Sequence, residues 1–228
     1  MREIAFDTET TGFDPATGDR LVEIGCVEIL DQARTGAEFH VYINPERDVP
    51  EAAVAVHGLT AERLKTEPVF AEVADRFLDF VGDAPLVAHN AAFDMRFINA
   101  ELTRLGRQPI PMSRSIDTVQ MARIRFPGAP ASLDALCRRF GVDNSNRLLH
   151  GALLDAQLLA EVYLHLLGDR QRGFDLAADR RGGPGETDGR RRTIARPPRV
   201  HTPTPAELEA HQAFILKEVK AAIWLAED

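Results

Sequence analysis

Residues 3–12 read Glu-Ile-Ala-Phe-Asp-Thr-Glu-Thr-Thr-Gly: an apolar run leads into two acids, Asp7 and Glu9, spaced two apart. On a strand, residues two apart project from the same face, so the two carboxylates stand side by side. Two further blocks follow, Leu21–Leu30 (LVEIGCVEIL) and Glu38–Ile43 (EFHVYI), separated by Gly, Asp and Pro signals. The three blocks Glu3–Asp7, Leu21–Leu30 and Glu38–Ile43 are therefore expected as strands. From Val69 the period changes. Phe70, Val73, Phe77, Phe80 and Val81 form one helical stripe, and the buried run Leu86-Val87-Ala88 reads as another strand. Helix is expected over Ala91–Leu105, a short strand over Ser115–Asp117, helix over Leu133–Phe140 with Ser132 as cap, and a long helix over Gly151–Leu167. Strands first and βα units afterwards predict an α/β domain with a mixed sheet.

The chain has 228 residues, of which 44% are hydrophobic, enough for one sizeable domain with appendages. No apolar run reaches the roughly 18 residues needed to span a bilayer, and the opening MREIAFDTET shows no secretory pattern. A cytoplasmic protein with no membrane partner is the expectation. Cys26 and Cys137 sit in apolar patterns and read as reduced core thiols. A net charge of −8 argues against a broad basic surface for gripping nucleic acid. Nine Arg against four acids between Arg170 and Arg199 make that stretch locally basic.

Three segments carry the chemistry. Asp7 and Glu9 repel each other unless a cation lies between them, and hard oxygen ligands favour Mg²⁺ or Mn²⁺ over zinc. A twisted strand with one acid in solvent also accommodates an isolated pair. In His89-Asn90-Ala91-Ala92-Phe93-Asp94, Asn90 suits a helix cap, and Asp94 falls in the first turn, where the helix dipole favours an anion. In His150-Gly151-Ala152-Leu153-Leu154-Asp155, an acid stands among Leu and Ala on an otherwise apolar helix, which solvation alone explains poorly. Neither His89 nor Asn90 is required to be more than structural. His40, His165, His201 and His211 show no spacing for a structural zinc site.

Together the three acid-bearing segments, with a His five residues before the last Asp, resemble the motifs of the DEDDh exonucleases. The likeness spans residues 1–168 and extends to Val56-His57-Gly58-Leu59, Phe70-Ala71-Glu72-Val73-Ala74-Asp75 and Ser132-Leu133-Asp134-Ala135-Leu136-Cys137. Within that family it is similar to the epsilon (proofreading) subunits of bacterial replicative polymerases. The resemblance implies an RNase H-like fold, a mixed five-stranded sheet flanked by helices. It implies Asp7, Glu9, Asp94 and Asp155 as ligands of two divalent ions, Mg²⁺ or Mn²⁺, with Asp7 bridging and His150 as general base. It places Thr10, Val56, His57 and Phe93 around the terminal nucleotide of a DNA 3′ end.

Residues 169–203 turn to Gly, Pro, Arg and Thr and read as a flexible linker. Within it Gln171, Phe174 and Leu176 are similar to the hexapeptide with which epsilon subunits contact the sliding clamp, although a short apolar fringe explains Phe174 and Leu176 equally well. From Thr204-Pro205-Ala206-Glu207, a capping box, an apolar helix is expected through residue 226, displaying Leu208, Ile215, Val219, Ile223 and Trp224. A lone apolar helix on a polar tether is suited to a partner's groove, and the resemblance makes that partner the polymerase (alpha) subunit, within the replisome. Two alternatives stay open: an RNA- or oligonucleotide-trimming enzyme with the same centre, and a non-catalytic scaffold bridging polymerase and clamp.

Overall fold

The computed structural model describes residues 1–147, 149–168 and 203–218. The chain divides into two units, residues 1–175 and 176–228. In the first, β1 (Arg2–Thr10), β2 (Leu21–Leu30), β3 (Ala33–Tyr42), β4 (Leu86–Ala88) and β5 (Ser115–Asp117) form one sheet in the order β3-β2-β1-β4-β5. The β1–β2 and β2–β3 pairs are antiparallel, whereas β1–β4 and β4–β5 are parallel, so the sheet is mixed as expected. Helices are α1 (Glu51–His57), α2 (Ala61–Leu64), α3 (Phe70–Val81), α4 (Ala91–Arg104), α5 (Thr118–Arg125), α6 (Leu133–Phe140) and α7 (Ala152–Gly168).

The two-residue period of the strands divides the core. Ile4, Phe6, Ile24, Cys26, Leu86 and Ala88 face one layer, where Phe70, Val73, Phe77 and Val81 of α3 and Met95, Ile98 and Leu102 of α4 pack. Ala5, Val27, Ile29 and Val87 face the other, against Leu133 and Leu136 of α6 and Ala156, Leu159, Val162 and Tyr163 of α7. Both cysteines are buried and free, as the sequence suggested. No described helix is long and apolar enough to cross a membrane.

Three differences from the sequence reading have physical causes. Strand β1 runs on to Thr10 because Glu9 still pairs with Glu23 and, past a register shift between Glu9 and Thr10, Thr10 pairs with Leu21. Strand β3 begins at Ala33 rather than Glu38. Its residues 33–38 are all exposed and owe their conformation to pairing with β2, not to an apolar pattern. Helices α1, α2 and α5 were not expected, and each buries only one or two side chains.

Gly25 fixes the position of α7. It pairs with Asp7 across the β1–β2 ladder, and a Cβ at this position would lie 2.3 Å from the Ala152 carbonyl carbon and the Leu153 nitrogen. The first turn of α7 therefore rests directly on the sheet beside Asp7. In the second unit, α8 (Pro205–Glu218) starts with the expected capping box: the Thr204 amide donates to Glu207 Oε2 at 2.7 Å, and the Glu207 amide to Thr204 Oγ1 at 3.4 Å. Leu208 and Phe214 are exposed and Ile215 is buried. Gln171, Phe174, Leu176, Val219, Ile223 and Trp224 lie outside the described residues.

Substituting Gly25→Ala forces α7 away from the sheet. Urea denaturation is expected to show a loss of about 1–3 kcal/mol, the usual consequence of overpacking a tight contact. An unchanged midpoint would contradict the packing described.

Candidate active site

Four acids and an imidazole meet at one end of the sheet. Asp7 and Glu9 share the face of β1 that α7 covers; Glu9 is buried, and Asp7 keeps a window to solvent. Asp94, buried in the first turn of α4, receives two hydrogen bonds on Oδ1 from Thr8, one from its amide at 3.1 Å and one from its hydroxyl at 2.7 Å. Thr8 points to the opposite face of β1 from its neighbours Asp7 and Glu9, which is how one strand fastens an acid carried by α4. Asp155 is buried in the first turn of α7, and its amide donates to Gly151 at 2.8 Å. His150 lies exposed just before that helix, with its backbone amide bound to the Val56 carbonyl at 3.0 Å. Ligand atoms of Glu9, His150 and Asp155 all fall within 4.8 Å of one another.

Crowding of like charges shows in the acidities. Burial, then Asp155, Glu23 and Asp94, push the Glu9 carboxyl up to about 8, opposed by Arg147. Burial raises Asp94 to about 7 against the lowering effect of the Thr8 hydrogen bonds. Asp7 is raised well above the ordinary carboxylate range by the protein packed around it and then by Asp94, Glu9 and Asp155. Such a cluster opposes full ionisation by itself, and a divalent cation relieves it. Oxygen donors in this number, with an imidazole at the rim, suit a hard divalent ion.

Beside the acids a cavity of about 530 Å³ is lined by Glu9, Thr10, Phe13, Val56, His57 and Phe93 among others. All four residues expected around a terminal nucleotide thus share one wall system with Glu9. Thr10 is held by its hydroxyl, which donates to the Gly12 carbonyl at 2.5 Å. His57 ends α1, and Gly58 takes up the positive φ of 76° that stops the helix. The His57 Nδ1 accepts from the Leu59 amide at 3.0 Å, which leaves the proton of the neutral ring on Nε2, a buried atom near the Thr10 backbone that makes no well-formed hydrogen bond among the described residues. Burial holds the pKa of His57 below the usual value.

Other expectations resolve differently. Asn90 occupies the cap position of α4, but its backbone is left-handed (φ 76°) and its side chain makes no capping bond; its amide instead reaches Asp117 Oδ1 at 3.3 Å. His89 Nδ1 meets Thr118 Oγ1 at 2.9 Å, a structural tie between β4 and α5. His40 pairs with buried Glu23 at 2.7 Å. Three residues at the centre escaped the sequence reading: Thr8, Glu23 and Arg147. Glu23 was accessible in principle, because the alternation Glu23, Gly25, Val27 puts it on the face of Asp7 and Glu9. Arg147 donates to Asp155 Oδ1 at 2.5 Å and Oδ2 at 2.7 Å. Nothing in its local sequence announces that role.

A family model described as Exonuclease (RNase_T) matches residues 4–163. The DNA polymerase III subunit epsilon of Rickettsia conorii is 47% identical over 235 residues, covering 97% of this chain and 98% of that protein. That of Escherichia coli K12 is 42% identical over 240 residues, covering 99% and 98%. Among solved structures, exonuclease X in complex with 5′ overhanging duplex DNA superposes with a TM-score of 0.58 at 26% identity, covering 74% of this chain and 91% of that one. The nuclease domain of 3′hExo, a DEDDh family member, bound to rAMP, gives 0.63 at 18% identity with coverage of 74% and 92%, a likeness of fold. With the matched model spanning the whole sheet and its acids, and relatives aligned nearly end to end, this chain belongs to the exonuclease family and, within it, to the DNA polymerase III epsilon subunits.

Proposed function

We propose that this protein is a 3′→5′ exonuclease that removes mononucleotides from DNA 3′ ends and serves as the proofreading subunit of DNA polymerase III. The observation that carries the reading is the meeting of Asp7, Glu9, Asp94 and Asp155, of which burial, and for Asp7 and Glu9 also the neighbouring acids, makes three hard to ionise, with His150 at the edge of the cluster. Two Mg²⁺ or Mn²⁺ ions held by these four carboxylates would stabilise the attacking and leaving oxygens of a phosphodiester displacement. His150 stands open to solvent at the rim of the acids and would take the proton of the attacking water, a role open to an imidazole. Val56 and Phe93 offer apolar walls to the terminal base. Thr10 closes the seat next to Glu9, and the buried His57 Nε2–H beside it is a donor suited to a substrate oxygen.

Helix α8, with Leu208 and Phe214 exposed, supports a second part of the reading: residues 204–228 anchor the chain to the polymerase alpha subunit, and Gln171–Leu176 engages the sliding clamp. Such tethering supplies the hold on DNA that a chain of net charge −8 lacks. The domain boundaries proposed are residues 1–168 for the nuclease, 169–203 for the linker and 204–228 for the anchor, in a replisome component of the cytoplasm.

Replacing His150 by Ala is expected to lower mononucleotide release from single-stranded DNA by about 10²- to 10⁴-fold with an unaltered melting temperature; a rate within twofold of the parent removes His150 from the mechanism. Preference for RNA over DNA ends in the same assay would favour the trimming alternative, and no release with either metal would favour the scaffold.

Titration calorimetry with Mg²⁺ or Mn²⁺ in buffers of different ionisation enthalpy tests the cluster itself. With Glu9 near 8 and Asp94 near 7, metal binding at pH 7 is expected to release protons, and the release should fade by pH 9. The sign for stability follows from the same shifts. Carboxyls whose folded pKa exceeds the unfolded value favour the fold at low pH, and that contribution disappears as pH rises through about 7 and 8. Chelator-treated protein should therefore melt lower at pH 9 than at pH 6, with added metal closing the gap. Proton uptake, or no pH dependence, contradicts the electrostatics.

Truncation after Gly168 is expected to retain nucleotide release and to lose co-purification with the polymerase subunit. Retained complex formation would place the anchor elsewhere.

A further inference from the structure

Arg147 is the basic side chain at the centre of this acidic site. It lies in the segment between α6 and α7, and its side chain is only 9% exposed. Nε and Nη2 grip the two oxygens of Asp155 at 2.5 and 2.7 Å, and Nη1 donates to Asp134 Oδ1 at 2.9 Å. Asp134, at the start of α6, is steadied in turn by Asn144 Nδ2 at 3.0 Å. The same Nη2 also lies 3.0 Å from His150 Nδ1. One planar cation thus bridges a ligand acid and the candidate base.

The chemistry of the groups fixes what that bridge does. A guanidinium has five N–H donors and no acceptor, so His150 Nδ1 must accept from it. The neutral ring then carries its proton on Nε2, and its basic lone pair is the one facing Arg147. Asp155 Oδ2 is also near Nδ1, but at 3.4 Å it is the longer contact, in keeping with a nitrogen that accepts rather than donates. In this arrangement the imidazole has no free basic site for a water proton, and both oxygens of Asp155 are engaged.

We propose that Arg147 is an interlock between metal loading and general-base catalysis. Its guanidinium and the divalent cation compete for the Asp155 carboxylate, and when the guanidinium yields, the His150 lone pair is released with it. Arg147 is in this sense a positioning residue: it acts through Asp155 and His150 without touching the scissile phosphate. The device prevents water activation at a centre that lacks its ions. The inference rests on the proposed nuclease reading and adds to it the order of events.

The test uses the full chain labelled with ¹⁵N-arginine and ¹⁵N-histidine, observed by NMR in chelator and then with Mg²⁺, which is diamagnetic. In chelator the Arg147 Nε–H signal, assigned by its absence in Arg147→Lys, should exchange slowly with water, and His150 should show the ¹⁵N pattern of an Nε2–H tautomer with a bonded Nδ1. At saturating Mg²⁺ the Arg147 signal should shift and its exchange should quicken at least tenfold, while the His150 Nδ1 resonance moves toward that of a free lone pair. In calorimetry Arg147→Met should bind Mn²⁺ about tenfold more tightly than the parent, with Arg147→Lys between them. Signals unmoved by saturating Mg²⁺, a His150 protonated on Nδ1, or weaker Mn²⁺ binding by both variants would overturn the interlock. If nucleotide release persists in that case, the nuclease function stands and the interlock alone falls. Failure of either metal to bind at all would overturn both.

Discussion

The burial of carboxylates drawn together at the edge of the sheet is the constraint around which this molecule is organised. Unpaired anions buried side by side are unfavourable, and a chain tolerates them only where its surroundings leave no alternative. Three devices enforce the arrangement. Gly25, lacking a side chain, lets the first turn of α7 descend onto the sheet and brings Asp155 to Asp7. Thr8 reaches to the other layer and pins Asp94 with two bonds. Arg147 inserts a compensating charge from the segment between α6 and α7. Each acid is thereby fixed by a different part of the fold, while the energetic strain is concentrated at one point.

That division explains how much could be read from sequence. The central strands were legible because both faces are packed, giving apolar runs, and α3 because a complete stripe faces the core. Helix α1 offered no such signal: of its seven residues, Glu51–His57, only His57 is buried. In α5 only Thr118 and Ala122 are, so neither helix has a stripe to detect. The exposed half of β3 is a strand by virtue of its partner alone.

For the site, the acids stood out because each interrupts a pattern, Asp7 and Glu9 closing an apolar strand and Asp155 standing among leucines. Thr8 and Arg147 interrupt nothing. The importance of Thr8 depends on what α4 carries 86 positions later, and that of Arg147 on a meeting of α6, α7 and the segment joining them. Pairings of that kind are properties of the closed fold. Asn90 shows the converse: its residue type suits a cap, yet a left-handed backbone turns the side chain away from the task.

The bond from the His150 amide to the Val56 carbonyl joins two parts of the site that are separate in the chain. Val56 is a wall of the cavity beside Glu9, and His150 is the imidazole at the rim of the acids. A single peptide hydrogen bond therefore links the cavity wall to the imidazole at the acids. On the proposed reading, a 3′ end that displaced α1 while settling into the cavity would also move the backbone that carries the ring, so that fit and cleavage would be sensed at the same joint.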